Sequence, residues 1–256
     1  MLHIFTFATD SKKVAYLKQT ANFHAVPINY ILADRWTGYV DKINYMKKAI
    51  ADISSDDIVC FIDAYDVLVN ASEGDIIRQF RSYNCDLLIG AELNCYPENY
   101  RQQMDELSAP SLYKYINSGG YIGTNKAIKD MLYWKNDADL NRICNKGTDQ
   151  AYVIEYYLQN RTKSIQLDIQ CRFIQNMHWI NWKELVIVNG QLYNTIMDAT
   201  PCFIHFNGGT YQTNKRENIM PVIVKRKEET RATNTTQNLN DYDQLITATC
   251  FPHLQK

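Results

Sequence analysis

The run Ile58-Val59-Cys60-Phe61-Ile62 ends abruptly in Asp63-Ala64-Tyr65-Asp66, and it constrains the fold more than any other segment. Its five consecutive apolar side chains show no alternation, so both faces of the strand must be covered. Strands of that kind belong to α/β proteins, whose ligands bind beyond the carboxyl ends of the strands. Asp63 and Asp66 stand at such an end. Residues three apart along a strand face opposite ways, so both carboxylates meet one ion only if the chain turns directly after Asp63. The same turn carries Tyr65 to the wall of the hollow.

The flanking segments extend this pattern. Leu2 to Phe7 reads as a strand, Ser11 to His24 as a helix, Ile28 to Ala33 as a strand and Asp41 to Ile53 as a helix. Glu73 to Tyr83 reads as the next helix, and Asp86 to Ala91 as a strand leading to Glu92. Helices of this length between strands imply βαβ units and a Rossmann-like, mostly parallel sheet flanked by helices. Asn94 to Pro110 is expected to be loop, and Asn117 to Gly123 to combine a glycine turn with a short strand. Lys126 to Lys135 and Asp149 to Gln159 read as helices, with a β-rich stretch from Ile165 to Asn207. From about Lys225 the sequence shifts to charged residues, Thr and Asn. One folded unit over 1–225 is therefore expected, followed by a polar tail over 226–256, peripheral or partly disordered.

Composition removes several function classes. With 27 Lys plus Arg against 28 Asp plus Glu in 256 residues, the chain has no electrostatic footprint for nucleic acid or an anionic membrane. No apolar run reaches membrane-spanning length, and the opening strand lacks the basic start and apolar core of a signal peptide, so a cytosolic setting is expected. The seven cysteines include no C-x-x-C pair, which favours reduced thiols. Sequons occur at Asn70, Asn160 and Asn234. Homodimerisation through the tail is a further expectation.

Five constellations carry possible chemistry. Asp63 and Asp66 can hold a hard divalent ion and leave positions for a diphosphate; helix capping and solvation would use the same residues. His205-Phe206-Asn207-Gly208-Gly209 places an imidazole after an apolar strand, where it can add a nitrogen ligand, while the glycines let backbone approach phosphate. A structural histidine is the alternative. Asn117-Ser118-Gly119-Gly120 offers donors and acceptors for hydroxyl groups, or makes an ordinary turn. Asp149-Gln150, with Asp137 and Asp139 upstream, can meet sugar hydroxyls or cap a helix. Trp36, Gly38 and Lys42 can close over a ring and face a phosphate, or serve as core and surface.

Taken in order, these segments resemble the glycosyltransferase domain of the multifunctional collagen lysyl hydroxylases. The matching pieces are Phe7-Ala8-Thr9, Trp36-x-Gly38 with Lys42, Phe61-Ile62-Asp63-x-Tyr65-Asp66-Val67 and Gly90-Ala91-Glu92. They continue through Asn117-Ser118-Gly119-Gly120-Tyr121-Ile122-Gly123, Asp149-Gln150, Cys171-Arg172-x-Ile174-Gln175-Asn176 and His205-x-Asn207-Gly208. The resemblance implies a GT-A fold, a UDP-sugar donor and Mn2+ held by Asp63, Asp66 and His205. It further implies that Tyr65 stacks on uracil, Thr9 lines the nucleotide site, and Lys42 faces the diphosphate with Asn207 and Gly208 close by. Trp36, Glu92, Tyr96, Asn117 and Asp149 would surround the transferred sugar and the acceptor. In that family the domain adds glucose from UDP-glucose to galactosyl-hydroxylysine of collagen, with retention at the anomeric carbon.

This chain departs from the family pattern in three places. Asp137 and Asp139 are separated from Asp149 by Leu140 to Thr148 instead of forming an unbroken aspartate run, so only Asp149 transfers securely, for acceptor binding or charge stabilisation. Gly209-Thr210 stands where the family continues Gly-Pro, and Tyr96 stands where an aromatic of another kind can occur. These 256 residues hold no hydroxylase domain, so lysine hydroxylation is not expected of them. The expected activity is glucosyl transfer to collagen or a collagen-like polypeptide. A galactosyltransferase acting on hydroxylysine, a transferase with another acceptor and a silent UDP-sugar- or collagen-binding module are the alternatives. Intact Asp63, Asp66 and His205 weigh against the last.

Overall fold

The computed structural model describes residues 1–107, 110–208 and 210–238, and the side chains at 210–219 and 237–238 are outside the description. Cys250 and residues 239–256 of the expected tail lie outside the described residues.

The chain runs β1 (Leu2–Ala8), α1 (Ala15–Phe23), β2 (Asn29–Leu32), α2 (Val40–Ala49), β3 (Ile58–Ile62), β4 (Val67–Val69) and α3 (Glu73–Ser82). It continues through β5 (Leu87–Glu92), α4 (Arg101–Leu107), β6 (Tyr115–Thr124), α5 (Asn125–Leu132), α6 (Asp137–Lys146) and α7 (Asp149–Asn160). The last part holds β7 (Ile165–Leu167), β8 (Ile174–Asn176), β9 (Leu185–Val188), β10 (Gln191–Asn194), β11 (Phe203–His205), α8 (Thr210–Thr233) and β12 (Thr236–Asn238).

The main sheet has the order β2-β1-β3-β6-β5-β7, with β6 alone antiparallel to its neighbours. Side-chain alternation divides each strand between two cores. Val59 and Phe61 of β3 join Phe5, Phe7, Ile89 and Tyr121 beneath α2, α5, α6 and α7. Ile58, Cys60 and Ile62 join Leu2, Ile4 and Leu88 on the opposite face, covered by α1 and α3. Each fully buried side chain of this size contributes about 1.5–3 kcal/mol. This two-sided burial is why β3 reads as an uninterrupted apolar run.

A second sheet, ordered β4-β11-β8, extends the chain beyond the tip of β3. In it β11 lies antiparallel to β4 and parallel to β8, pairing His205 with Val67 and with Asn176. A third sheet, β10-β9-β12, packs with α8.

Three segments differ from the sequence expectation. The Asn117 to Gly123 region is no turn: β6 is a ten-residue strand, and none of its glycines has a positive φ. Asp137 to Lys146 forms a helix, α6, with Asn136 accepting the Asp139 N–H as its cap. The nominal loop before Pro110 contains α4. In addition, α8 crosses residue 225 without interruption, and Met220, Ile223, Val224, Lys227 and Thr230 form its buried stripe. No described helix is long and apolar enough to cross a membrane.

The sequon at Asn70 is fully buried. Its amide donates to the carbonyls of Leu192 and Pro201 and accepts from Leu192 N–H and Lys227 Nζ. Burial pushes the Lys227 ammonium down to about 7 from its ordinary 10.5. Between those values the unfolded chain binds more protons, so this group makes stability rise with pH from about 7 to 10.5 and costs most below 7. Replacing it by K227M should therefore raise stability at pH 7 by on the order of a few kcal/mol and flatten the slope up to pH 10, read from urea unfolding.

Candidate active site

The connection from β3 to β4 consists of Asp63 to Asp66 alone. Asp63 N–H donates to the Gly119 carbonyl of β6 (2.9 Å), and Phe206 N–H donates to the Asp66 carbonyl (2.8 Å). The turn is thereby fixed between two sheets. Both carboxylates converge on His205 at the end of β11, whose Nε2 lies 3.6 Å from Asp66 Oδ1 and 3.7 Å from Asp63 Oδ2. One ligand atom from each residue lies within 4.8 Å of the others. Donors about 2.1 Å from one ion are separated by roughly 3 to 4.2 Å, so the two histidine separations fit a shared ion. Two carboxylates and one imidazole suit manganese or another transition ion better than calcium.

Gly119 makes this convergence possible. A Cβ there would stand 2.2 Å from His205 Cε1 and 2.8 Å from Nδ1, so the imidazole packs directly on the backbone of β6. The glycines of Asn117-Ser118-Gly119-Gly120 serve close approach, since Gly120 likewise meets Ile174.

Two contiguous cavities meet at Tyr39, Lys42, Asp63 and Asp66. The first, about 270 Å³, is walled by Phe7, Thr9, Trp36 and Tyr65. The second, about 450 Å³, is lined by Glu92, Tyr96, Asn117, Asp149, Gln150, His178, His205, Asn207 and Gly208. A larger hollow of about 750 Å³ runs along the edge strand β7, but among the described residues no carboxylate or histidine lines it.

Lys42 bridges the cavities, its Nζ lying 2.6 Å from Asp63 Oδ1 and 3.2 Å from Asp149 Oδ2. Burial alone would lower its pKa, but Asp149 and Asp63 outweigh it and hold the ammonium charged. Burial raises the Asp63 carboxyl, with Asp66 and Asp149 adding to the rise and Lys42 and His205 opposing it. At His205 burial acts downward, and Asp66, Asp63 and Glu92 turn the net shift upward. Four carboxylates thus face one ammonium across a small hollow, an excess of negative charge that a bound cation relieves.

Residues 2–230 match the family described as PLOD GT domain. This chain belongs to that family. A procollagen-lysine,2-oxoglutarate 5-dioxygenase of Drosophila melanogaster is 25% identical over 227 residues, covering 81% of this chain and 30% of the relative. The human multifunctional procollagen lysine hydroxylase and glycosyltransferase LH3 is 28% identical over 199 residues, covering 73% of this chain and 26% of that protein. The chain thus spans under a third of the length of these curated relatives. A solved glycosyltransferase involved in the glycosylation of the major capsid of PBCV-1 superposes with a TM-score of 0.50 at 15% identity, covering 86% of this chain and 98% of its own. The PLOD GT domain described here is a glycosyltransferase with the GT-A fold.

The PLOD GT domain brings all twelve sequence-selected residues to these two cavities. Thr9, Trp36, Lys42, Asp63, Tyr65 and Asp66 border the first; Glu92, Asn117, Asp149, His205, Asn207 and Gly208 border the second. Asp137 and Asp139 do not line either; they sit in the first turn of α6. Glu92 is the centre of an amide cradle, accepting from Asn117 Nδ2 (3.0 Å), Gln150 Nε2 (3.1 Å) and Asn207 Nδ2 (2.8 Å). Burial pushes its carboxyl up to about 7 against those donors. Asn207 Oδ1 also accepts the N–H groups of Met177 and His178, both at 3.0 Å. Asp149 is the first residue of α7 after its Thr148 cap, and accepts from Ser118 Oγ at 2.9 Å.

Tyr39, Gln150 and His178 were not selected from the sequence. Gln150 stood beside Asp149 without a role of its own; nothing in the local pattern singles out Tyr39 or His178. The close contact at Gly119 yields a direct expectation. G119A should lower stability by about 1–3 kcal/mol in chemical unfolding, because the imidazole must leave its place against β6.

Proposed function

We propose that this PLOD GT domain is a Mn2+-dependent, retaining transferase that moves glucose from UDP-glucose to galactosyl-hydroxylysine of collagen or a collagen-like polypeptide. The observation that carries the reading is the Asp63, Asp66 and His205 cluster at the junction of an aromatic cavity and a polar one. The name of human LH3, which joins procollagen lysine hydroxylation to glycosyl transfer, supports the acceptor class.

In this reading the first cavity takes the uracil. Phe7, Trp36 and Tyr65 give it flat walls, and Tyr65 is held in place because its hydroxyl accepts from Thr9 N–H (2.6 Å) and Asp10 N–H (2.9 Å). Mn2+ held by Asp63, Asp66 and His205 would neutralise charge on the diphosphate leaving group. Lys42 sets a second positive charge beside that diphosphate, and Gly208, at φ 124°, lets backbone come close to it.

The polar cavity takes the sugar and the acceptor. Asn117 and Gln150 hold Glu92 as a fixed carboxylate, whose charge favours an electron-poor anomeric carbon. Asp149, oriented by Ser118 and Lys42, binds the acceptor or stabilises charge. Retention places arrival and departure on one face of the sugar, so no residue is assigned as a separate base.

UDP release from UDP-glucose and UDP-galactose, with Mn2+ or EDTA and with or without a galactosyl-hydroxylysine peptide, tests the reading. Acceptor-stimulated release from UDP-glucose with Mn2+ is expected, falling at least about 100-fold in D66A. Release that the peptide never accelerates would remove the acceptor assignment, and unchanged release in D66A would remove the metal assignment. Because Glu92 titrates near 7, kcat/KM should fall as pH drops from 8 to 6, and E92Q should lower the rate and flatten that limb.

A further inference from the structure

We infer that Asn176 is a positioning residue that fixes His205 in the Nδ1–H tautomer and thereby presents Nε2 as a metal ligand. The inference rests on the metal site of the proposed function and assigns a part to a side chain outside the cavity linings. Asn176 and His205 are register partners on the parallel strands β8 and β11, and both are almost wholly buried.

The orientation of the Asn176 amide follows from its other neighbour. Its Nδ2 lies 2.8 Å from the Ala91 carbonyl oxygen, which can only accept, so the nitrogen must be on that side. The oxygen Oδ1 is then turned to His205 Nδ1 at 2.7 Å. An amide oxygen cannot donate, so Nδ1 must carry the hydrogen. The other ring nitrogen, Nε2, is therefore the one that faces the Asp63 and Asp66 carboxylates, at 3.7 and 3.6 Å.

With a hydrogen held on Nδ1, the ring turns Nε2 toward the place between the two carboxylates where a cation would stand. Gly119 blocks one escape, since the ring already touches the β6 backbone and cannot shift that way. Asn176 blocks rotation, because a flipped ring would forfeit a buried hydrogen bond. Outer partners of this kind hold a ligating imidazole in tautomer and orientation, and their loss costs about 10- to 100-fold in metal affinity.

The test is a titration with Mn2+ in the presence of saturating UDP, following the free ion by electron paramagnetic resonance. N176L removes both hydrogen bonds; N176D keeps an acceptor for Nδ1–H while losing the donation to Ala91 and adding a negative charge. N176L should bind Mn2+ about 10- to 100-fold more weakly, with N176D within about 3-fold of the unaltered protein. If N176L does not fold, N176S, too short to reach Nδ1, carries the same expectation. Equal Mn2+ affinity in N176L or N176S and the unaltered protein would overturn the inference. So would equal losses in N176D and N176L, which would make Asn176 a strut between β5 and β8. An unaltered protein that binds no Mn2+ would instead remove the metal reading, and this inference with it.

Discussion

The concentration of negative charge beyond the tip of β3 is the constraint around which the surrounding structure is arranged. Asp63, Asp66, Glu92 and Asp149 border one hollow, and burial makes each uncompensated charge costly. The compensations come from every adjoining element. Lys42 reaches from α2 to pair with Asp63 and Asp149, β6 supplies Asn117 and Ser118, and α7 supplies Gln150. Asp149 also stands at the N-terminus of α7, where the helix dipole favours an anion. At the centre of this charge, Asp63, Asp66 and His205 offer ligand atoms within 4.8 Å of one another, a spacing that a cation would fit.

The topology explains why these groups meet. In the main sheet only β6 is antiparallel, so its chain passes the tip of β3 in the opposite direction and lays Asn117 to Gly119 across the site. The small β4-β11-β8 sheet then begins where β3 ends, and its register sets His205 opposite Val67, one residue after Asp66. Side chains far apart in sequence are thus positioned by strand pairing rather than by flexible loops. That is the physical difference between a cluster of acids and a site with fixed geometry.

Much of this was legible in the sequence, for reasons that particular residues make plain. The apolar run at Ile58 to Ile62 announced a doubly covered strand, and Asp63 and Asp66 could share an ion only through the turn that the structure contains. The helix at Asp149 was likewise readable from its period and its start. The segment at Asn117 misled because glycine has two uses, and local sequence does not distinguish positive φ from the approach of a distant imidazole. Helix α8 was hidden because a lysine and a threonine sit in its buried stripe, which breaks the apolar pattern. There Lys227 donates to an oxygen of Asn70, which is remote in sequence. Helix α6 was obscured by Asp137 and Asp139, which draw attention as possible ligands yet sit in the first turn of a helix capped by Asn136.

Asparagine amides explain how so compact a site holds its shape. Asn117 links Glu92 to the Gly119 N–H, and Asn207 links Glu92 to the backbone after β8. An amide presents a donor and an acceptor in one rigid plane, so each such residue couples two neighbours in a defined orientation without adding charge. A carboxylate at either position could only accept, and would bring a further negative charge toward Glu92. A lysine would bring positive charge and relieve the excess that a bound cation would otherwise answer. Neutral amides satisfy the buried groups without adding to or cancelling the charge around Asp63, Asp66 and His205.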